Sequence, residues 1–373
     1  MDVLDLLDRL VRASSVNPGM DPTGAGEAEV ARILIDELGA LGLEAHEHEV
    51  LPGRSNVVGV LPGPEGAPTL MLEAHMDTVP EGDEPIEVRR EDGRLLGRGT
   101  CDTKGALAAM VAAVATLAAE DGPRPTVVLA ATVDEEAGMT GAEHLLEHAP
   151  RPDAAVVGEP TSLLPVRVHN GVLRVAIVAR GRQAHTSKAH LGVNAVSAAA
   201  RVIAAIEADV GAGLADRAHP LAGPALLTVS MVRGGVASNI VPERCEVQLD
   251  RRLAPGETAD DALAELEAVL ERLRADGDDV RLDTPQIALP PVETPEGDAV
   301  VRAAEAAIGT AAGGAPYTTD ASRISGTGGV PCLVLGPGSI DQAHTPDEWV
   351  PLEEVERAVE LYVGLARRFA EGA

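Results

Sequence analysis

The spacing of apolar positions along the chain predicts two kinds of element. Between residues 3 and 11, apolar side chains recur at the interval of a helix with one buried face. Short continuous apolar runs, such as 126–132 and 154–157, are typical of buried strands in a mostly parallel sheet. A long Ala-rich helix is predicted over 105–119. This alternation indicates an α/β fold, with a mixed, mostly parallel sheet and helices on both of its faces.

The pattern changes near residue 171. From 172 to 284 the predicted strands alternate apolar and polar positions, and the elements follow the β-α-β-β-α-β order of a ferredoxin-like unit. After residue 285 the long helices and buried strands return. The chain of 373 residues also exceeds the usual size of a single core. We therefore predict a discontinuous larger domain at 1–171 and 285–373, and an inserted smaller α+β domain at 172–284.

Composition and charge narrow the choice of partners. The formal net charge of −29 argues against nucleic acid, because nucleic-acid binding needs a basic stripe. Three widely spaced cysteines point to a reducing compartment rather than a disulfide scaffold. The first residues form an acidic amphipathic helix rather than a basic signal segment, and the Ala-rich helix is too short to span a membrane. We expect a cytoplasmic protein with no membrane partner.

Imidazoles and carboxylates lie at the ends of the predicted strands and in nearby loops. Each alone has an ordinary explanation, such as a hydrogen-bonded histidine, a solvated acidic turn or a loop cap. Because the carboxyl ends of parallel strands meet at one edge of a sheet, together they predict a site for a divalent transition metal. The candidates are His75, Asp77, Asp102, Asp134, Glu135, Glu136, Glu159 and His344.

Two metal ions at this edge would suit the hydrolysis of an amide. Two ions that share one carboxylate can polarise a carbonyl and activate a water. Such a site needs a bridging acid, with one histidine and one further acid for each ion. It also needs a carboxylate that binds no metal and takes the proton from the water. Glu135 and Glu136 suit this division, because adjacent side chains can point to different sides of the water.

These motifs resemble those of the M20 metallopeptidase family, in the same order and along nearly the whole chain. That family holds acetylornithine deacetylase, succinyl-diaminopimelate desuccinylase, aminoacylase-1 and glutamate carboxypeptidase. The resemblance rests on 75–77, 101–105, 134–136, 158–160 and the late His344. It implies two Zn²⁺ ions per subunit, with Co²⁺ or Mn²⁺ as alternatives, and a cis peptide after the bridging acid. By this resemblance Asp102 bridges the ions, His75 and Glu159 complete one, Glu136 and His344 complete the other, Glu135 is the general base, and Asp77 orients His75.

The resemblance also assigns residues outside the metal site. His185 lies at what would otherwise be an ordinary polar hairpin corner. In M20 relatives the matching histidine reaches from one subunit into the partner's active site and stabilises the oxyanion, which implies a homodimer. Asn239 matches a substrate-binding residue, and Arg251 and Arg323 match residues that pair with substrate carboxylates. The spacing of Arg323 from Asp320 is one residue longer than in desuccinylases.

We predict a dinuclear zinc hydrolase that cleaves the amide bond of N-acylated amino acids, most similar around 336–348 to acetylornithine deacetylases. A desuccinylase of the lysine pathway and an M20 carboxypeptidase or dipeptidase stay open, because specificity lies in loops without a fixed signature. A non-catalytic metal-binding relative is disfavoured because no expected ligand is missing. A polyanionic interaction module is disfavoured because charge alone would not place acids and imidazoles at successive strand ends.

Overall fold

Side-chain caps mark where several helices begin. Asp2 accepts hydrogen bonds from the backbone N–H groups of Leu4 and Asp5, and Asn194 and Thr258 cap two later helices in the same way. The computed structural model describes residues 1–82 and 86–372. Within these residues the helices are α1 (Val3–Arg12), α2 (Ala28–Ala40), α3 (Gly105–Ala119), α4 (Thr140–His148), α5 (Ala195–Asp209), α6 (Ala259–Ala275), α7 (Ala299–Ile308) and α8 (Leu352–Gly372).

The described chain also contains nineteen strands, several of only two or three residues. They are β1 (Ala45–Leu51), β2 (Arg54–Leu61), β3 (Thr69–His75), β4 (Arg89–Glu91), β5 (Arg94–Leu96), β6 (Thr126–Thr132), β7 (Ala154–Val157), β8 (Val166–His169), β9 (Gly171–Arg180), β10 (Ala184–His185), β11 (Leu226–Gly234), β12 (Ile240–Val241), β13 (Arg244–Leu253), β14 (Asp279–Leu282), β15 (Ile287–Leu289), β16 (Val292–Glu293), β17 (Gly313–Ala315), β18 (Cys332–Val334) and β19 (Trp349–Pro351).

The chain divides into two compact units. The first contains Met1–Arg167, Thr294–Gly313 and Thr319–Ala373, and the second contains Val168–Glu293 and Gly314–Thr318. The first unit is therefore discontinuous in sequence. Each unit has its own cluster of buried apolar side chains.

The central sheet of the first unit is mixed, with a parallel middle. Its strand order is β1-β2-β6-β3-β7-β18, and β18 also pairs with the first residue of β8. The pairs β6–β3, β3–β7 and β7–β18 are parallel, whereas β1–β2 and β2–β6 are antiparallel. Strands β3, β6 and β7 are almost entirely buried, which explains their continuous apolar sequences. The result is the predicted α/β fold, with a mostly parallel central sheet.

A short irregular turn, Thr100–Lys104, precedes α3; the backbone angles of Asp102 and Thr103 in it are not helical, and the peptide bond between these two residues is cis. Counted together with this turn, the segment runs to 20 residues, longer than the helix that the sequence predicts. Thr100–Ala119 is thus long and apolar enough to cross a membrane by length and composition, but 83% of its most apolar window is buried. Every residue of α3 from Gly105 to Val114 is buried. Such burial is typical of a helix in the core of a folded protein.

The second unit contains an antiparallel sheet with the strand order β11-β13-β9-β14. Helix α5 follows β9 and helix α6 follows β13, so the elements run β-α-β-β-α-β along the chain. This order and this strand arrangement are those of a ferredoxin-like fold. The core lies between the sheet and the apolar faces of α5 and α6.

Candidate metal centre

Asp102 lies between two histidines that are distant in sequence. His75 ends β3, and its Nε2 atom is 3.0 Å from Asp102 Oδ1. His344 comes from the loop before β19, and its Nε2 atom is 3.2 Å from Asp102 Oδ2. Each oxygen of one carboxylate therefore faces a different imidazole. This is the arrangement that two cations sharing a carboxylate would need.

Glu136 closes the group on the side of His344. Its Oε2 atom is 3.1 Å from His344 Nε2. Ligand atoms of His75, Asp102 and Glu136 all lie within 4.8 Å of one another. Glu159, which follows the buried strand β7, is 6% exposed, and Asp102 and Glu136 both raise its pKa beyond the rise that burial causes. Four of these side chains, from separate segments of the sequence, thus meet in one group, and Glu159 is near enough to interact with the group electrostatically.

The carboxyl groups of this site are buried close together, and this shifts the pKa values of the site residues. Burial raises the pKa of Glu135 well above its usual range, and the neighbouring Glu159, Asp320 and Glu136 carboxylates add to the rise. Burial alone would raise the pKa of Asp102, but hydrogen bonds to His344 and His75 hold it well below its usual range. Hydrogen bonds to Asp102 and Glu136 raise the pKa of His344 to about 10.

The donor set fits divalent transition metals. Imidazole nitrogens and carboxylate oxygens in a buried group are the ligands that Zn²⁺ and Co²⁺ accept. Carboxylates that accept hydrogen bonds from both imidazoles raise the pKa of His75 and His344 against the effect of burial, so protons on these rings would satisfy the acids. A cation in their place would satisfy the same acids. His75, Asp102, Glu136, Glu159 and His344 would hold the metal.

Asp77 holds the loop that carries the two adjacent glutamates. Its carboxylate accepts hydrogen bonds from the backbone N–H groups of Glu135 and Glu136, both at 3.1 Å. Asn17 donates to the same carboxylate at 2.7 Å. The Nδ1–H group of His75 donates to the Asp77 backbone carbonyl at 3.0 Å, while the Asp77 carboxylate lies 3.6 Å from Nδ1. Asp77 therefore contacts both His75, through its backbone, and the glutamate loop, through its side chain.

Buried charged side chains also hold the loop that carries Glu135 and Glu136. Asp134 has a positive φ of 69°, which turns the chain sharply after β6. Its carboxylate accepts a hydrogen bond from Arg54 at 3.1 Å, and Arg54 also pairs with Glu27 at 2.8 Å. All three side chains are nearly buried. This network, which the sequence did not reveal, holds the turn that presents Glu135 and Glu136.

Glu348 is another residue whose role the sequence does not reveal. Its buried carboxylate accepts hydrogen bonds from the backbone N–H groups of Gly99, Cys101 and Asp102, at 2.9–3.1 Å. Arg98 donates to it at 2.7 Å. Glu348 thus fixes the turn that carries Asp102, and it lies in the same loop as His344. A side chain that binds backbone groups leaves no periodic signal in a sequence.

Glu73 and Asp320 form a buried carboxyl pair near His75. Glu73 and Asp320 are 0% and 1% exposed, and the Thr132 hydroxyl lies 2.6 Å from Glu73 Oε1 and 3.1 Å from Asp320 Oδ2. Burial raises the pKa of Asp320 to about 6, although the nearby His75 acts against this rise. Burial, together with Asp320, raises the pKa of Glu73 well above its usual range. Burial of the two neighbouring carboxyl groups therefore favours their protonated forms.

The predicted residues outside the metal site lie in both units of the chain. In the second unit His185 is exposed, its Nδ1 atom lies 2.8 Å from Ser187 Oγ, and the adjacent Thr186 donates to the Asn239 carbonyl, so His185 and Asn239 are neighbours. Arg251 is 1% exposed and pairs with Glu257 at 2.8 Å. In the first unit Arg323 lies in the turn Ser322–Thr327, 3.5 Å from Glu143.

Known proteins resemble this chain in both sequence and fold. The sequence model of Peptidase family M20/M25/M40 matches residues 71–368. The chain is 32% identical to an acetylornithine deacetylase of Vibrio campbellii, over 96% of each sequence. The crystal structure of aminopeptidase PepT from Bacillus cereus superposes with a TM-score of 0.81, at 25% identity over 99% of this chain and 98% of that one. A dinuclear metal-binding peptidase from Bacillus subtilis, YXEP, has the same fold, with a TM-score of 0.74 at 17% identity over 100% and 98% of the two chains.

The chain belongs to the M20 family of metallopeptidases, because the family model covers most of its length and a relative above 30% identity covers nearly all of it. It is therefore a metal-dependent hydrolase of amide bonds, with a candidate metal site at His75, Asp102 and Glu136.

Proposed function

We propose that this protein is a dinuclear zinc hydrolase that removes the acyl group from N-acylated amino acids, as an acetylornithine deacetylase does. The observation that carries the proposal is the placement of Asp102 between His75 and His344, at 3.0 Å and 3.2 Å. The likeness to an acetylornithine deacetylase over 96% of each sequence favours this substrate class. The dinuclear metal site of the Bacillus subtilis relative supports two ions rather than one.

The chain's own residues have separate tasks in this proposal. When bound, the metal ions would polarise the amide carbonyl and lower the pKa of a water. Glu135 takes the proton from that water and passes it to the leaving nitrogen, so that amide and water become a carboxylic acid and an amine. Asp77 keeps Glu135 and Glu136 in position through their backbone N–H groups. Co²⁺ or Mn²⁺ could replace Zn²⁺ at such a set of oxygen and nitrogen ligands.

The substrate side of the proposal assigns three residues beyond the metal ligands. Asn239 would contact the substrate, beside His185. Arg323 would pair with a substrate carboxylate, and its partner Glu143 is 55% exposed, so this ion pair can exchange readily. Arg251 would first have to leave Glu257, because its guanidinium is buried against that acid. A succinyl-diaminopimelate desuccinylase or a dipeptidase uses the same chemistry and is the alternative.

The test is a substrate screen of the zinc-loaded enzyme. We expect acetate release from N-acetylornithine to exceed the hydrolysis of N-succinyl-diaminopimelate and of dipeptides in kcat/KM, and a chelator to abolish all activity. Faster release of succinate would favour the desuccinylase alternative. Activity that survives complete removal of metal would contradict the metal-dependent mechanism itself.

We also propose a homodimer of cytoplasmic subunits, formed through the second unit. Strand β11 is an edge of its sheet and pairs only with β13 among the described residues. Val232 and Leu226 on β11 are 51% and 50% exposed, and Val196 on α5 is 38% exposed. An apolar edge strand of this kind favours pairing with a second copy.

His185 would act across that dimer, on the oxyanion formed in the partner's active site. Replacing it with alanine should lower kcat by about 10²–10³-fold and leave the zinc content unchanged. His190→Ala, another exposed histidine of the same segment, is the matched control and should retain activity. Equal turnover of His185→Ala and wild type would remove the oxyanion role.

A further inference from the structure

Four of the ten histidines lie together on β1 and α4 of the first unit, and none of them is a proposed ligand of the metal centre. His46 and His48 are on β1, the edge strand of the central sheet. His144 and His148 are on α4, which packs beside β1. Residues four apart on a helix project from the same face, so both imidazoles of α4 point to one side.

The rings are close enough to share a ligand. The centroids of His144 and His148 are 3.8 Å apart, and the rings are stacked with an angle of 6° between their planes. The centroid of His48 is 5.9 Å from that of His148. Three imidazoles on one ion have centroids roughly 5 Å apart, because each Zn–N bond is about 2.0–2.1 Å. In the described chain only the group around Asp102 already has its ligand atoms within 4.8 Å of one another, so the histidine side chains would have to rotate out of their stacked arrangement to bind an ion together.

We propose that His48, His144 and His148 form an additional binding site for a divalent transition metal such as Zn²⁺ or Ni²⁺. The site shares no residue with the group around Asp102. Imidazole is the side chain that these ions bind most often, and a pair one helical turn apart is a compact chelate. The net charge of −29 favours cations near the surface in general.

The hydrogen bonds of the cluster leave ring nitrogens available. His148 donates from Nδ1 to the His144 backbone carbonyl at 3.0 Å, which fixes the tautomer and leaves the lone pair of Nε2 free. The Nδ1 atom of His144 is buried without a hydrogen-bond partner in the described part of the chain. A buried polar atom without a partner is uncommon, and a metal ion or a turned ring would relieve it.

Two of the three histidines also have the protonation state that a metal requires. Burial lowers the pKa of His48, and the neighbouring His148 and His46 lower it further. Burial likewise lowers the pKa of His144, together with His148 and His48. Neutral imidazoles at pH 7 can accept a cation without first losing a proton.

The competing explanation is that these rings are ordinary packed surface histidines. The two explanations predict different amounts of bound zinc per chain. Wild type, His144→Gln, His148→Gln and the control His190→Gln would each be equilibrated by dialysis against buffered free Zn²⁺, over a range that begins where the metal centre is full. Zinc per chain would then be measured by elemental analysis, and hydrolytic activity by the same assay for all four proteins.

We expect wild type and His190→Gln to bind one more Zn²⁺ per chain than His144→Gln and His148→Gln, at equal activity and equal helix content by circular dichroism. Equal zinc content of wild type and both cluster variants over the whole range would overturn the proposal. A similar loss in His190→Gln would also overturn it, because the additional zinc would then be bound without regard to this cluster. If His144→Gln or His148→Gln lost activity together with zinc, the ion would belong to the metal centre instead.

Discussion

The Glu348 carboxylate uses both of its oxygens to hold the Asp102 turn. Oε1 accepts from the N–H groups of Cys101 and Asp102, and Oε2 accepts from Gly99 and Arg98. A glutamine would present an amide N–H₂ group to one of these two pairs of donors. We therefore expect Glu348→Gln to lower the free energy of unfolding by about 2–4 kcal/mol, and to weaken metal binding because Asp102 is no longer held in place.

The experiment must distinguish a loss of metal affinity caused by misplacement of Asp102 from a loss caused by unfolding. Metal affinity would be determined by competition with a chelator at a temperature where Glu348→Gln is fully folded. Glu353→Gln, an exposed glutamate in the first turn of α8, is the control and should change neither quantity. Wild-type affinity in folded Glu348→Gln would show that Asp102 does not depend on Glu348.

Glu135 is the residue whose loss should affect chemistry alone. If it moves the proton, Glu135→Gln should lower kcat by about 10²–10⁴-fold, whereas zinc content should stay at the wild-type value because Glu135 is not among the proposed ligands. Elemental analysis and steady-state kinetics on the same preparation would check both. An active Glu135→Gln enzyme would require another general base.

The sequence predicted several residues that the structure brings into one group, together with Asp77 beside them, but it did not predict most of the residues that support this group. His75, Asp102 and Glu136 could be predicted because metal ligands must be imidazoles or carboxylates, and strand ends bring them together. Arg54, Asn17 and Glu348 act through hydrogen bonds across long stretches of sequence, and no spacing predicts such bonds. The Arg251–Glu257 pair was also missed, although its two residues are only six positions apart.

At the level of elements, continuous apolar runs were the most reliable signal. Helix α3 and strand β6 begin and end at the predicted residues. Strands β4, β5 and β19 were not predicted, because each has three residues and a run that short has no measurable period. They form a separate sheet with the order β19-β5-β4, so their pairing depends on chain segments far apart in sequence.

Gly158 sets how closely α3 approaches the sheet. A Cβ atom at this position would lie 2.8 Å from Ala106 Cβ on α3, and 3.1 Å from both Ala74 Cβ and Met110 Cε. These contacts are too short for carbon atoms, so helix and strands would have to separate. We expect Gly158→Ala to destabilise the protein by about 1–3 kcal/mol, measured by denaturant unfolding.

The control for Gly158 is Gly39, which lies inside α2 and where an added Cβ atom would have no neighbour within 4 Å. Gly39→Ala should instead stabilise the protein by about 0.5–1 kcal/mol, because alanine loses less backbone entropy in a helix. If both variants had the same effect, the close approach of α3 at Gly158 would not be a constraint on the fold.

For the whole molecule, the important fact is that every proposed metal ligand belongs to the first unit. His75, Asp102, Glu136, Glu159 and His344 come from widely separated segments of the sequence, yet none lies in Val168–Glu293. The second unit has its own core of buried apolar residues on β9, β13, α5 and α6. A ligand that binds only the folded first unit should therefore stabilise that unit in particular.

Metal removal tests this division directly. At a free metal concentration about 100 times the dissociation constant, one bound ion stabilises the folded state by about 2.7 kcal/mol. We expect a chelator to increase amide hydrogen exchange in β3 and β6 of the first unit, while β9 and β13 of the second unit keep their protection. Asp102→Asn, which removes the shared charge, should exchange like the chelated wild type and respond little to chelator. Equal loss of protection in both units would mean that they unfold as one cooperative body, and the stabilisation by metal would then extend to the entire chain.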